Sequence, residues 1–374
     1  MSAKYLHYSY EQLKTFCMDA FQEFGFNSEE AQIITDVLLL SDLYGIESHG
    51  MQRLVRYHKG IEKGMIKVDA KPEIVFETPV SAVIDAHDAM GQLVSHQAMN
   101  LAIEKAKKTG MAIVSVRNSN HFGIAGYYAK MACDQGLIGM AMTNSEAIMV
   151  PTFARMAMIG SNPIALAAPA EPYPFFFDAS TTVVTRGKLE VYNKMEKPLP
   201  EGWALNKDGH PSTDAKDVLK NIVAKNGGGI MPVGGNTEQL GSHKGYGYGM
   251  MCEIFCSVFS QGTPSSHVNV GGKSGTCHGF MAVDPHVFGD PEAIKAHFSA
   301  CLQELRDAPK ADGQTRIYTH GEKEAFAYQD RMENGIDVNI NTVAEMADMA
   351  RYLGMDVEKY LGKVDVHGLE SSYQ

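Results

Sequence analysis

The chain has 374 residues, 44% hydrophobic and 21% charged, with a formal net charge of −11. This length supports two or three domains with a sizeable core. The acidic balance argues against nucleic acid or an anionic membrane as partner, since both need a basic surface, yet it permits a small acidic ligand held by local arginines. Six scattered cysteines, with no C-x-x-C, make a disulfide framework unexpected and fit a reducing cytoplasm. The first residues lack an apolar signal core, and no window reaches the length of a membrane span.

Residues 9 to about 64 read as helices. In the first, Leu13, Phe16, Cys17, Ala20, Phe21 and Phe24 form one apolar stripe. The second opens on Asn27 with Glu30 three residues later, the spacing of a capping box. A loop, "YGIESHG", leads to a third helix expected from about Met51. From about Lys71 short apolar strands alternate with helices: "SAVIDA", a helix over 91–108, "MAIVSV", a helix over 122–134, "LIGMAMT", "NPIALAAP" and "FFFDAS". Residues 187–243 are rich in Gly, Pro and polar residues and read as long loops. The helix "GYGYGMMCEIFCSVFSQG" and the strand "CHGFMAVD" follow, and from about Pro291 the pattern is helical again. The expected architecture is an α/β segment, 71–289, inserted between helical segments 1–70 and 290–374.

Several signatures fail. No G-x-G-x-x-G follows a strand, so an ordinary Rossmann dinucleotide site is unsupported. "GGKSGT" mimics a P-loop end, but His267 stands where the earlier glycine belongs. The fourteen histidines show no zinc spacing and no metal site is expected, which counts against a metal-dependent hydrolase.

Other stretches carry chemistry. In "SDLYGIESHGMQRLVRY", Arg53 follows His49 by four positions and pairs a carboxylate fork with a proton donor; alternatively, Arg53 and Arg56 are solvated charges at a helix start. In "VRNSNHFGIAG" a buried strand gives way to His121. Either Asn118, Ser119 and Asn120 are turn and cap residues with His121 in the first helical turn, or the strand end rims a site and His121 handles a proton. Asn144 and Ser145 follow the next strand, which suggests a shared crevice. Asp178, Ala179 and Ser180 end an apolar strand with small groups that let a cofactor backbone come close, unless Asp178 is simply a cap. Lys244, between glycines before an apolar helix, suits a pyrophosphate or carboxylate. Gly321 and Glu322 form a turn into a late helix.

Together "GIESHGMQRLVRY", "NSNHFGIAGYYA", "TNSEAIMVP", "GSNPIALAAPA", "FDASTT…RGK", "PEGWALNKDGHPSTDA" and "KGYGYGMM" resemble the type-2 malate/L-lactate dehydrogenase family, which includes ureidoglycolate and sulfolactate dehydrogenases, 2,3-diketogulonate reductase and Δ1-piperideine-2-carboxylate reductase. The resemblance runs from about residue 5 to 335. It implies a non-Rossmann, mixed-sheet fold binding NAD or NADP, a homodimer or higher oligomer, and interconversion of a 2-oxoacid and a 2-hydroxyacid. It puts proton handling on His121 or His49, the substrate carboxylate on Arg53, and cofactor contacts on Ser145, Asp178–Ser180, Lys244 and the Gly321–Glu322 turn. The chain departs from the family in reading His320 where proline is common and in lacking a diglycine after Pro151. The alternatives are a non-catalytic metabolite-binding homologue and a reductase of a cyclic imine carboxylate.

Overall fold

The computed structural model describes residues 5–366 and 369; the outermost ends of the two expected helical segments, residues 1–4, 367, 368 and 370–374, lie outside the described residues. A short strand, β1 (Tyr5–Tyr8), precedes α1 (Tyr10–Glu23), and the whole predicted stripe from Leu13 to Phe24 is buried. Helix α2 (Ser28–Leu43) starts with the expected capping box: Asn27 Oδ1 accepts the Glu30 N–H and the Glu30 carboxylate accepts the Asn27 N–H, both at 3.0 Å. The third helix begins later than expected. Two 3₁₀ turns, Glu47–His49 and Met51–Arg53, come before α3 (Leu54–Glu62). The buried carboxylate of Asp42 accepts the Met51 N–H at 2.8 Å and fills the space that a Cβ on residue 50 would need, so Gly50 makes the tight turn possible.

The middle of the chain runs through β2 (Glu73–Thr78), β3 (Ser81–Asp85), α4 (Gly91–Thr109), β4 (Met111–Ser119), α5 (Ala125–Cys133), β5 (Ile138–Thr143), β6 (Ile164–Ala168) and β7 (Phe175–Ala179). Where long loops were expected there is instead a small lobe: α6 (Arg186–Lys194), β8 (Ala204–Leu205), β9 (Pro211–Ser212), α7 (Ala215–Ala224) and β10 (Gly229–Ile230). It has its own core of Leu189, Leu199, Val218 and Ile222. Two-residue strands leave no alternation to read, which is why the sequence pattern missed it. Helix α8 (Ser242–Glu253) continues through a π-helical turn, Ile254–Val258, to β11 (Thr276–Val283). The chain then forms α9 (Pro291–Asp307), α10 (Glu322–Asn334), β12 (Ile336–Asn339), α11 (Ile340–Tyr352) and α12 (Val357–Leu361).

Among the described residues, seven strands form one mixed sheet in the order β2-β3-β4-β11-β5-β6-β7, with β3–β4 parallel and the other pairs antiparallel. Helices α4 and α5 cover one face, packing Val94, Ala98 and Tyr128 against Val114, Val116 and Phe280. The two chain ends meet: β1 pairs with β12, and residues of α1, α2 and α3 share a core with those of α11 and α12. The strand directions matter for the site. Ser119 at the end of β4, Thr143 at the end of β5 and Ala179 at the end of β7 lie on one sheet edge, with the starts of β11 and β6 between them.

Candidate active site

At that edge the polar run that closes β4 is fully occupied, but not by capping. Asn118, held at φ +52, donates through Nδ2 to both oxygens of Asp85 at 3.0 Å. Asn120 Nδ2 donates to the carbonyls of Met65, Asp88 and Ala89 at 3.0–3.1 Å. Ser119 Oγ bonds His278 Nε2 at 2.8 Å. Helix α5 starts only at Ala125, and its Gly126 N–H is taken by Asp178 at 2.7 Å. The three residues before His121 therefore lock the strand end to its surroundings, and His121 lies in the open turn ahead of the helix.

The imidazole of His121 is held by two donors. Gly123 N–H reaches Nδ1 at 3.3 Å and the Tyr57 hydroxyl lies 2.8 Å from the same nitrogen. A backbone amide only donates, so Nδ1 accepts and the neutral ring carries its proton on Nε2. The ring of His49 stacks alongside, with centroids 5.5 Å apart and planes at 27°. Burial lowers the His121 pKa well below its ordinary 6.5, and Arg56, His49 and Arg53 push the same way. His49 falls to about 3, through burial first and then Arg53 and Arg56.

Arg53 folds back over the loop, donating from Nε to the Ser48 carbonyl at 2.6 Å, while Ser48 Oγ lies 2.9 Å from His49 Nδ1. Among the described residues no carboxylate forms a salt bridge with Arg53. Burial and then Arg56 lower its pKa, and α6 is close enough for Glu190 and Arg186 to act on it as well. A half-buried guanidinium beside two neutral imidazoles favours an anion with a neighbouring carbonyl or hydroxyl.

Three residues of this region escaped the sequence reading. Tyr57 on α3 follows Arg53, the residue that caps the start of that helix, by four positions, and that spacing was the available signal. His278, fully buried, sits in the apolar strand "CHGFMAVD" as an isolated polar residue. Glu253 is the one charge in "GYGYGMMCEIFCSVF". It is buried, and its carboxylate accepts from Asn144 Nδ2 (3.4 Å), Asn162 Nδ2 (3.1 Å), Ser257 Oγ (2.6 Å) and the Ser265 hydroxyl. This network fixes the two turns that frame Ser145, whose N–H donates to Asn162 Oδ1 at 3.1 Å and whose hydroxyl accepts the Ser161 N–H at 3.0 Å.

The other expected contact residues lie on separate elements. Asp178 commits one oxygen to α5, and burial pushes its carboxyl up to about 7 against the opposing Gly126 hydrogen bond. It does cap a helix, but α5 rather than the one that follows it. Ala179 ends β7, and Ser180 Oγ donates to the Thr182 carbonyl at 3.1 Å. Lys244 is exposed in the first turn of α8, with no ion pair among the described residues; the same helix is tied to the Ser145 turn through Asn162 Nδ2 and the Gly249 carbonyl, 3.1 Å apart. Gly321, at φ +100, packs tightly on Pro174 and Phe176. Glu322 is fully buried and bonded to Arg306, to Arg316 at 2.7 Å and to Thr319 at 2.8 Å. Burial alone would raise its pKa, but these donors hold it at about 2. Its buried carboxylate braces the turn, so what the Gly321–Glu322 turn can offer a ligand is its main chain. The hydroxyls, main-chain groups and exposed lysine of this set fit a phosphate-bearing dinucleotide.

The fold is that of a group of solved dehydrogenases. Malate dehydrogenase from Entamoeba histolytica superposes with a TM-score of 0.91 at 35% identity, over 94% of this chain and 99% of that one. Sulfolactate dehydrogenase from Methanocaldococcus jannaschii superposes at 0.85 and 32% identity, over 95% and 100%. A curated malate dehydrogenase from Pyrococcus abyssi is 42% identical over 94% of this chain and 96% of its own length. The family described as malate/L-lactate dehydrogenase matches residues 8–347, and the chain belongs to it. It is a 2-hydroxyacid dehydrogenase by class, in a family whose members use nicotinamide cofactors.

Proposed function

We propose that the protein interconverts a malate- or lactate-type 2-hydroxyacid and its 2-oxoacid, using NAD or NADP. The observation that carries this is the stacked His49–His121 pair beside Arg53, a guanidinium with no acidic partner among the described residues. A nicotinamide bound here would supply the hydride chemistry at substrate C2. Arg53 holds the substrate carboxylate and fixes its orientation, which converts an encounter into an aligned reaction. His121 exchanges the proton of the C2 oxygen through Nε2, with Tyr57 and Gly123 orienting the ring from Nδ1. His49 donates a hydrogen bond to the substrate from the helical side. Ser145, the Asp178–Ser180 stretch, Lys244 and the Gly321–Glu322 turn would hold the cofactor. In this reading the helical part, 1–70 with 290–374, orients the substrate, and the α/β part, 71–289, carries the cofactor.

A homodimer or higher oligomer in the cytoplasm completes the proposal. Met251, Ile254, Val258 and Phe259 form one outward stripe on α8 and its continuation, each 40–57% exposed, the pattern of a helix face that packs on another chain. Among the described residues no helix is long and apolar enough to cross a membrane. The functional test is NADH and NADPH oxidation against a panel of 2-oxoacids and cyclic imines, with light scattering for the oligomer. Oxidation with a 2-oxoacid such as oxaloacetate is expected. Turnover confined to cyclic imines, or none at all, overturns the reading.

A further inference from the structure

We infer that His278 is a positioning residue that sets the proton-transfer end of β4 against the cofactor end of β5. The inference rests on the proposed function for what each strand end does. Strand β11 lies between the two, and His278 faces both. Its Nε2 is 2.8 Å from Ser119 Oγ, two residues before His121. Its Nδ1 is 2.8 Å from Thr143 Oγ1, two residues before Ser145.

Thr143 Oγ1 also has the carbonyls of Asn144 (2.9 Å) and Cys277 (3.0 Å) within reach of its one proton, and Ser119 Oγ has the Asn120 carbonyl at 3.5 Å, so each hydroxyl joins the ring to the main chain of its own strand end. One rigid ring thus spans two hydroxyls on different strands. It also stacks on Phe122, the residue after His121, with centroids 4.5 Å apart and planes at 5°.

Main-chain pairing alone does not fix this spacing. The ladder between β11 and β4 is interrupted between Thr276 and His278, just where β4 approaches His121. A buried imidazole is costly unless both nitrogens are bonded, and a phenylalanine would fill the same layer without that demand. The two hydroxyls are what a histidine serves here, and each leads within two residues to a different half of the reaction.

Two substitutions separate the arms, because an asparagine amide reaches the Nδ1 position and a glutamine amide the Nε2 position. His278→Asn keeps the Thr143 arm and frees Ser119, so the larger loss should fall on kcat, up to about 100-fold for a misplaced proton carrier. His278→Gln keeps the Ser119 arm and frees Thr143, so the larger loss should fall on NADH affinity, measured by fluorescence titration. Ser119→Ala and Thr143→Val remove the same arms from the far ends with less disturbance of the core. They should reproduce the His278→Asn and His278→Gln patterns respectively, and they decide the matter if the histidine variants do not fold. The His121 imidazole signal in NMR reports the first arm without turnover: it should shift in Ser119→Ala and stay in Thr143→Val. An inactive wild type would overturn the proposed function, while the NADH titrations and the imidazole signal would still judge this inference. Losses in the same ratio for both arms, or no change in either readout, would overturn the positioning role.

Discussion

The shelf around His121 and the rim around Lys244 are built differently. On the shelf each polar side chain already has a partner: Asn118 on Asp85, Asn120 on three carbonyls, Ser119 on His278, His121 on Tyr57. At the rim Lys244 is exposed and unpaired among the described residues, and Ser180 bonds only within its own loop. A shelf bonded in advance needs no reorganisation when substrate arrives, which is the condition for orienting a proton carrier. A rim with an open cation is completed by its ligand. Damage to the shelf should therefore fall on turnover, and damage to the rim on cofactor affinity.

Four substitutions test that contrast, in falling order of effect. His121→Ala should lower kcat by roughly 10²–10⁴, the usual contribution of a positioned acid or base, with the NADH dissociation constant close to wild type. A parallel loss of cofactor binding would erase the distinction between shelf and rim. Arg53→Lys should cost on the order of 100-fold in kcat/KM for 2-oxoacids, since an ammonium cannot reproduce a planar fork and each charge-assisted bond is worth about 1.5–3 kcal/mol. Near-normal kinetics in both Arg53→Lys and Arg53→Met would remove the substrate carboxylate from this residue. Lys244→Ala should weaken NADH binding about tenfold, the loss of one charge-assisted contact, and leave kcat at saturating cofactor little changed. An unchanged fluorescence titration would take Lys244 out of the cofactor site. Tyr57→Phe removes one of two donors to His121 and should lower kcat by about fivefold, the worth of a typical hydrogen bond. An effect on KM alone would show that Tyr57 touches substrate instead of steadying the ring.

The sequence made visible whatever had a local period or a cap. The stripe of α1, the Asn27–Glu30 box and the apolar strands were legible because each is written within a dozen residues. The pairing of β1 with β12 was not, since it joins residues more than 320 positions apart. The lobe at 186–230 hid behind strands of two residues. At the site, His121 could be singled out from its place after a strand, but its partner Tyr57 and the buried His278 reach it through space. The enclosure of the Glu322 carboxylate was hidden in the same way: it depends on Arg306 and Arg316, and the local motif shows neither role.

The central claim is that His121, and not His49, carries the proton, and the pH dependence of kcat/KM for hydroxyacid oxidation tests it most directly. This profile reports groups of the free enzyme. Oxidation needs a neutral imidazole to accept the hydroxyl proton, and burial with neighbouring cations holds the His121 pKa well below its ordinary 6.5. The wild-type rate should therefore stay level as pH falls through 6.5 and decline only at more acidic values. His121→Ala should abolish that acid limb, and His49→Ala should keep it. A limb that survives in His121→Ala and disappears in His49→Ala would contradict the assignment and exchange the roles of the two histidines.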